Sequence, residues 1–207
     1  GLSRYPLLIF FHRARFHTEI ISCKLQNYKI ICSDRLTLMY NIIGGKKKMG
    51  IKSWTDYFLD LAKTCSSRSN CLRAQVGAVI VGVDKKIKAT GYNGTPSGVE
   101  SCYERGECYR IKNNIPSGTC YETCRSIHAE QNAIIQAGQD RCMGASMYIY
   151  GHNFICILCK RFIVQSGIVD VYLKKDDNSP IIHVSVDDIK RELDNPGVGV
   201  NEVVGVN

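Results

Sequence analysis

The sequence of 207 residues lacks long apolar runs. None approaches the roughly 18–20 residues that a membrane-spanning helix requires. A short apolar stretch at 6–11 lacks the length of a signal-peptide core, and no small-residue cleavage site follows it. There is no internal repeat and no phosphate loop ending in Gly-Lys-Ser/Thr. Because 44% of the residues are apolar, the chain can bury a core. We therefore expect a globular protein without a membrane partner.

Cysteine, by contrast, is abundant: the chain has 11, an odd number. Secreted disulfide scaffolds are usually shorter and have paired cysteines behind a signal peptide. Thiols that stay reduced and bind a metal fit this chain better. We therefore expect a reducing, intracellular location in the cytoplasm.

Positive charge exceeds negative charge, with a formal net charge of +8, but the excess is confined to one end. Residues 1–48 contain nine Lys and Arg against two acids, whereas the rest of the chain nets +1. A nucleic-acid partner is therefore not predicted for the body of the chain. We interpret residues 1–48 as a basic leader outside the fold and Met49 as the natural start.

Residue patterning predicts an α/β fold. Apolar residues recur at helical spacing over 54–62 behind a Ser53 cap, and the β-branched run at 76–81 is typical of a strand buried on both faces. The other predicted elements are a strand at 87–92, a loop at 93–127, a helix at 128–137, a strand at 146–150, a helix at 156–165, a strand at 168–173 and a helix from 185 or 187 to 193. This order predicts a three-layer α-β-α domain with a mixed central sheet over 49–194, followed by a flexible tail at 195–207.

Two short motifs carry the chemistry. His128-Ala-Glu130 begins one predicted helix, and Cys156-Ile-Leu-Cys159 begins the next. Each motif alone is weak, since a lone Cys-x-x-Cys can also be redox-active or merely buried. Helix N-termini favour thiolate over thiol, and one imidazole with two thiolates leaves a tetrahedral zinc one open position for water. We predict a catalytic zinc site formed by His128, Cys156 and Cys159.

Glu130 lies two residues from a predicted zinc ligand and need not bind the metal itself. Zinc lowers the pKa of bound water from ~15.7 to ~7, and a neighbouring carboxylate can shuttle the proton that is released. This is the chemistry of hydrolytic deamination at cytosine C4 or adenine C6. The alternative is an acid that only interacts with the helix dipole. We predict that Glu130 is the catalytic proton shuttle.

These motifs give the chain a family resemblance over about residues 53–177. His-Ala-Glu with Cys-x-x-Cys is shared by the whole cytidine and deoxycytidylate deaminase superfamily, whereas ATGYNGTP is more specific. On these residues the segment resembles the zinc-dependent deoxycytidylate (dCMP) deaminases. The matching stretches are RSNCLRAQVGAVIV at 68–81, ATGYNGTPSG at 89–98, HAEQNAI at 128–134, CILCK at 156–160 and SGI at 166–168.

The resemblance implies a cytidine-deaminase-like fold and conversion of dCMP to dUMP and ammonia, which would supply thymidylate synthesis. It also implies a homo-oligomer, commonly a hexamer, with dCTP activating and dTTP inhibiting. One departure is Ile155, where the superfamily usually has proline before the first zinc cysteine. Because proline favours the first turn of a helix, its loss is expected to loosen the substrate loop without removing a ligand.

Substrate contacts follow partly from the resemblance, which places a substrate-binding asparagine at Asn93, although Asn93-Gly94 is also a typical turn pair. The backbone N–H of Ala129, at the start of a helix, is a candidate partner for the pyrimidine carbonyl. A 5′-phosphate requires cationic donors, and we prefer Arg110 among four arginines in or beside the loop. The four are Arg73, Arg105, Arg110 and Arg125.

A second metal site is predicted in the same loop. Relatives with an extra zinc place ligands at positions that match Cys71 and Cys102, and Cys108 and Cys124 match cysteines of similar bacterial sequences. Four thiolates would form a closed structural zinc site that orders the loop. The alternative is a set of buried, reduced thiols, and Cys120 is the expected spare.

Two other functions stay open at this point. The chain could deaminate another cytosine or adenine substrate, such as a nucleoside, dCTP or nucleic acid, although a nucleic-acid groove should be basic and aromatic. Alternatively, it could be a zinc-binding module without catalysis, in which case Glu130 would be dispensable.

Overall fold

The computed structural model describes residues 50–195. The predicted leader, Met49 and the predicted tail beyond Asn195 lie outside the described residues. No helix within this part of the chain is long and apolar enough to cross a membrane. The elements are α1 (Trp54–Ser66), β1 (Gly77–Val81), β2 (Ile87–Tyr92), α2 (Cys102–Arg105), α3 (Tyr109–Lys112), a 3-10 helix (Tyr121–Thr123), α4 (Ala129–Ala137), α5 (Gln139–Cys142), β3 (Ser146–Tyr150), α6 (Ile157–Ser166), β4 (Asp170–Lys174), β5 (Ile182–Ser185) and α7 (Val186–Asp194).

The strands form one sheet in the order β2-β1-β3-β4-β5. β3 and β4 are parallel and all other neighbours are antiparallel, so the sheet is mixed, as predicted. The sequence prediction was wrong in omitting β5. This strand has four residues at the sheet edge and none is fully buried, so no continuous apolar run indicates it. The predicted loop at 93–127 contains α2, α3 and the 3-10 helix.

Helices cover both faces of the sheet, which confirms the three-layer α/β prediction. On one face Phe58 of α1 packs in a cluster with Val79 of β1. On the other face Ala133 of α4, Ile163 of α6 and Ile189 of α7 belong to the larger core cluster. The larger core therefore lies on the side of the sheet that carries both motif helices.

Strand β1 is the centre of this core, because it pairs with β2 on one side and β3 on the other. All five of its residues are buried, which explains its uninterrupted apolar sequence. Ala78 and Ile80 face α4 and α6, while Val79 and Val81 face α1. Each large aliphatic side chain buried here contributes about 1.5–3 kcal/mol relative to an exposed one.

Gly91 in β2 allows α4 to lie close against the sheet. A Cβ at this position would be 2.2 Å from the carbonyl oxygen of Ala129 and 2.6 Å from the amide nitrogen of Ala133. Both atoms belong to the helix backbone and cannot move independently of it. The absence of a side chain at position 91 therefore fixes how near the first turn of α4 comes to the sheet.

We predict that Gly91→Ala destabilises the protein, because the added methyl group pushes α4 away from β2. Overpacking of this kind costs about 1–3 kcal/mol of unfolding free energy, or more when backbone atoms clash. Urea denaturation followed by circular dichroism measures the change. Gly50→Ala is the matched control, since a Cβ there would have no atom within 4 Å. Equal stability of the two variants would contradict this account of α4 packing.

Candidate active site

The two motif helices begin at the same end of the core, and their first residues meet. His128 is the N-cap of α4, and its amide donates to Oε1 of Gln131 at 3.1 Å. Cys156 is the N-cap of α6. Nδ1 of His128 lies 3.3 Å from Sγ of Cys156 and 3.4 Å from Sγ of Cys159. The predicted ligands are therefore brought together by the packing of α4 beside α6.

These three side chains fit a zinc ion by both chemistry and spacing. Their donor atoms all lie within 4.8 Å of one another, and no other His, Cys, Asp or Glu group within residues 50–195 meets this criterion. Tetrahedral zinc with bonds of about 2.1 Å to nitrogen and 2.3 Å to sulfur separates those donors by about 3.6 Å. Three donors also leave a fourth position for a water or substrate atom.

The hydrogen bonds and charges around Cys156 favour its thiolate form. A hydrogen bond from the Cys159 thiol lowers the pKa of Cys156, although burial opposes it, and His128 lowers it further. The amide of Cys159 also donates to Sγ of Cys156 at 3.4 Å, as expected at a helix N-terminus. Burial disfavours charge on His128, but the Cys156 sulfur and the Glu130 carboxylate outweigh it and raise the pKa of His128.

Glu130 lies beside this centre in the first turn of α4 and is only 5% exposed. Burial raises the pKa of its carboxyl group above the ordinary value, while its own backbone amide, the charge of His128 and a hydrogen bond with Cys159 act in the opposite direction. A carboxyl group with a raised pKa holds a proton more readily than an ordinary one, as a group that must also act as an acid requires. Glu130 therefore has the burial and the position expected of a proton shuttle.

A cavity of about 370 Å³ opens onto the centre, which is within the usual size range of small-ligand sites. His128, Glu130 and Cys156 line it together with the predicted substrate residues Asn93 and Ala129. Cys159 is fully buried beneath them. The cavity thus joins the predicted metal ligands to the predicted substrate contacts.

The side chain of Asn93 is buried and already bonded to the backbone. Its Oδ1 accepts the amide of Val76 at 2.8 Å, and its Nδ2 donates to the carbonyl of Ala74 at 2.8 Å. One N–H and one acceptor lone pair remain for another partner. Asn93 therefore joins the chain before β1 to the end of β2, and its contact with substrate stays a prediction.

Of the four candidate arginines, Arg73 and Arg110 line this cavity, whereas Arg105 and Arg125 line a separate one. Arg110 is 5% exposed and donates to the carbonyl oxygens of Pro116, at 3.0 Å, and Thr119. Its Nε is buried without a protein partner, so a donor is left over. The structure is therefore compatible with the preference for Arg110 over Arg105 and Arg125.

Tyr121 is a site residue that the sequence reasoning missed. Its ring lies 4.8 Å from the Arg110 guanidinium and, edge to face, 4.8 Å from the His128 imidazole. Tyr121 thus contacts both Arg110, a cation of the cavity wall, and His128, a predicted metal ligand. No motif includes this tyrosine, since it lies in the irregular loop, and spacing alone could not have indicated it.

Comparison with known proteins decides the family. A family model described as "Cytidine and deoxycytidylate deaminase zinc-binding region" matches residues 52–175, which is more than half of the chain. The chain belongs to this family. The match includes both zinc motifs, Glu130 and the loop that contains Arg110.

Several relatives of this chain are named deoxycytidylate deaminase. The protein of Mycobacterium phage D29 is 34% identical over 133 residues, covering 62% of this chain and 99% of the relative. The protein of Schizosaccharomyces pombe is 40% identical over 119 residues, covering 58% of this chain but 36% of the relative. Among solved structures, the chain is similar to the crystal structure of dCMP deaminase from the cyanophage S-TIM5 in complex with dCMP and dUMP. The sequence identity is 28%, the TM-score is 0.44, and the superposed region covers 60% of this chain and 83% of that chain. The chain thus spans little more than a third of the S. pombe relative.

The family's usual proline position is occupied here by a core residue. Ile155 is buried among the residues that pack α4 against α6. Because Cys156 is the N-cap, Ile155 lies before the helix and not in its first turn. The expectation that proline's loss acts through the first turn was therefore wrong. The preceding residues 151–154, including His152, line the cavity, and so does Lys175.

Three of the four cysteines of the predicted second zinc site, Cys71, Cys108 and Cys124, line the cavity, and we call this part of its lining the loop wall. Cys102 and Cys108 are buried, whereas Cys120 is exposed, as expected for the spare. Burial and the neighbouring thiols of Cys108, Cys71 and Cys124 raise the pKa of Cys102. Their sulfurs do not meet the spacing criterion that the His128 centre meets.

We predict that Cys159→Ala lowers bound zinc by one ion per chain, because two donors hold zinc much less well than three. The expected loss of affinity at this centre is more than tenfold. Metal analysis after dialysis against a weak chelator measures it. Cys120→Ala is the control, since Cys120 is exposed and is not a member of the His128 group. Unchanged zinc in Cys159→Ala would contradict the assignment of the ligands.

Proposed function

We propose that the chain catalyses hydrolytic deamination of dCMP to dUMP and ammonia, supplying dUMP for thymidylate synthesis. The observation that carries the proposal is the meeting of His128, Cys156 and Cys159 beside buried Glu130 at a cavity. Membership of the deaminase family and the relatives named deoxycytidylate deaminase support the substrate. Residues 49–194 are the proposed catalytic domain.

His128, Cys156 and Cys159 would hold the zinc ion, whose chemistry in such a site is to make a bound water acidic at neutral pH. Glu130 takes one proton from water and delivers it to the ring nitrogen next to the amino-bearing carbon, to which the water oxygen bonds. Glu130 then transfers the second proton of that water to the amino group, whose bond to carbon breaks so that it leaves as ammonia. Its burial matters, because the raised pKa brings protonated and ionised forms closer in energy. Glu130 therefore acts as both base and acid.

The cytosine ring is oriented by the remaining polar groups of the cavity. The N–H of Ala129, at the start of α4, can donate to the pyrimidine carbonyl, since the first amides of a helix have no partner within it. The free N–H of Asn93 can donate to a sugar oxygen. Arg110, through the unpartnered Nε, is the proposed phosphate contact.

We predict that Glu130→Gln abolishes ammonia release from dCMP while bound zinc is unchanged, because the amide keeps the shape but cannot take a proton. The expected loss of kcat is about 10²- to 10⁴-fold. Comparing dCMP, deoxycytidine and dCTP with the wild-type protein identifies the preferred substrate. Near-normal turnover by Glu130→Gln would sink the mechanism, and absence of turnover by wild type would favour a non-catalytic zinc module.

A second, structural zinc ion is also proposed, held by Cys71, Cys102, Cys108 and Cys124. Burial of Cys102 and Cys108 and the mutual influence of the four thiols support it. The amide of Arg73 donates to Sγ of Cys71 at 3.4 Å, a bond that stabilises a thiolate. Such an ion would order a wall of the cavity, because three of these cysteines line it.

We predict two zinc ions per wild-type chain and one in Cys108→Ala, since removal of one thiolate opens a closed site. The Cys108→Ala variant should keep the catalytic zinc but lose thermal stability, because the loop wall is no longer anchored. Metal analysis and thermal melting measure both effects, with Cys120→Ala as the control. One zinc ion in the wild-type protein would leave these cysteines as buried reduced thiols.

Assembly, regulation and location are proposed from the family resemblance. We propose a homo-oligomer, with a hexamer expected, that responds to dCTP as activator and dTTP as inhibitor. The nine cysteines within residues 50–195 are all free, which supports a reducing, cytoplasmic location. Light scattering with and without dCTP checks the assembly.

A further inference from the structure

We infer that Lys175 binds the substrate phosphate and makes the enzyme select a nucleotide over a nucleoside. This inference rests on the proposed deamination of dCMP. Lys175 belongs to neither zinc motif and lies outside the arginine-bearing loop, so the sequence did not indicate it.

The sheet brings Lys175 to the cavity. β3 and β4 are parallel, and Tyr150 is the register partner of Lys174, so both strands end side by side. The amide of Gly151 donates to the carbonyl of Lys174 at 2.9 Å and joins the two exits. Residues 151–154 and Lys175 therefore form one wall of the cavity, at the carboxyl ends of parallel strands where α/β sheets commonly bind ligands.

Lys175 lies at the open end of this cavity. Its side chain is exposed, whereas Glu130 and Cys156, which line the same cavity, are buried. A pyrimidine that reaches Glu130 must therefore extend its sugar and phosphate toward solvent. A lysine on a flexible stem at the opening can meet a phosphate there.

The charges that line the cavity also suit an anion. They comprise three permanent cations, Arg73, Arg110 and Lys175, against one carboxylate, Glu130. The two arginines already donate to loop carbonyls: Arg73 to that of Ile115 at 2.8 Å, and Arg110 as described above. Both therefore have fewer donors to offer a ligand.

Lys175 is uncommitted by comparison. The lysines that form ion pairs within residues 50–195 do not include it; they are Lys52, Lys63, Lys86, Lys88, Lys112, Lys160 and Lys190. Its neighbour Asp176 accepts the amide of Asn178 at 3.0 Å instead. The ammonium group of Lys175 can thus pair with a phosphate without breaking an existing bond.

The test compares dCMP with deoxycytidine, which differ only in the phosphate. We expect Lys175→Gln to lower kcat/KM for dCMP by about 10- to 100-fold, as for loss of a charged hydrogen bond, and to leave deoxycytidine unchanged. Lys175→Arg should restore most of the activity on dCMP. Lys174→Gln is the matched control, because Lys174 has the same charge but does not line the cavity.

Two outcomes would overturn the inference: an unchanged kcat/KM for dCMP in Lys175→Gln, or equal losses on both substrates, which would indicate a packing role. Calorimetric binding of dUMP and deoxyuridine gives a readout that is independent of turnover. Lys175→Gln should weaken the binding of dUMP and leave the binding of deoxyuridine unchanged. If the wild-type protein does not deaminate dCMP, the proposed function fails, whereas the binding comparison still decides the role of Lys175.

Discussion

The site depends on one packing constraint: α4 and α6 must begin at the same place on the sheet. Only then do His128 and Cys156, each an N-cap, bring imidazole and thiol within 3.3 Å. Gly91 sets the distance of α4 from β2, and the fully buried β1 supports both helices from below. The arrangement of the proposed metal ligands is thus a property of the core, and a change in helix packing would move them apart.

The same arrangement concentrates unfavourable electrostatics in a buried place. Burial raises the pKa of Glu130, and the hydrogen bond to Cys156, together with burial, raises that of Cys159. Ionised groups gathered in the interior without a counter-charge destabilise a fold. A divalent cation bound by His128 and the two thiolates would remove most of this cost. Metal binding and folding should therefore be linked in this protein.

The sequence predicted the fold, and it indicated which side chains meet at the start of α4 and α6, because both leave periodic or motif-like signals. The buried strand at 76–81 reads as a continuous apolar run, and the two motifs lie at helix starts. β5 was missed because an edge strand that is half exposed leaves no such run. Tyr121 and Lys175 could not be placed, since their proximity to the site depends on how an irregular loop and two strand exits meet in three dimensions. The resemblance could not indicate the two backbone bonds of Asn93, because they depend on how the chain before β1 lies against the end of β2.

The loop wall is open to chemical damage by oxidants. Cys71, Cys108 and Cys124 line the cavity beside Arg110, and short helices give this segment little regular structure of its own. Peroxide that converts these sulfurs to sulfenic acids would thus distort the surface that faces the cavity while the sheet stayed intact. Such damage should precede unfolding, so preparations of the protein need reductant to preserve the shape of the cavity even when their circular dichroism is unaltered.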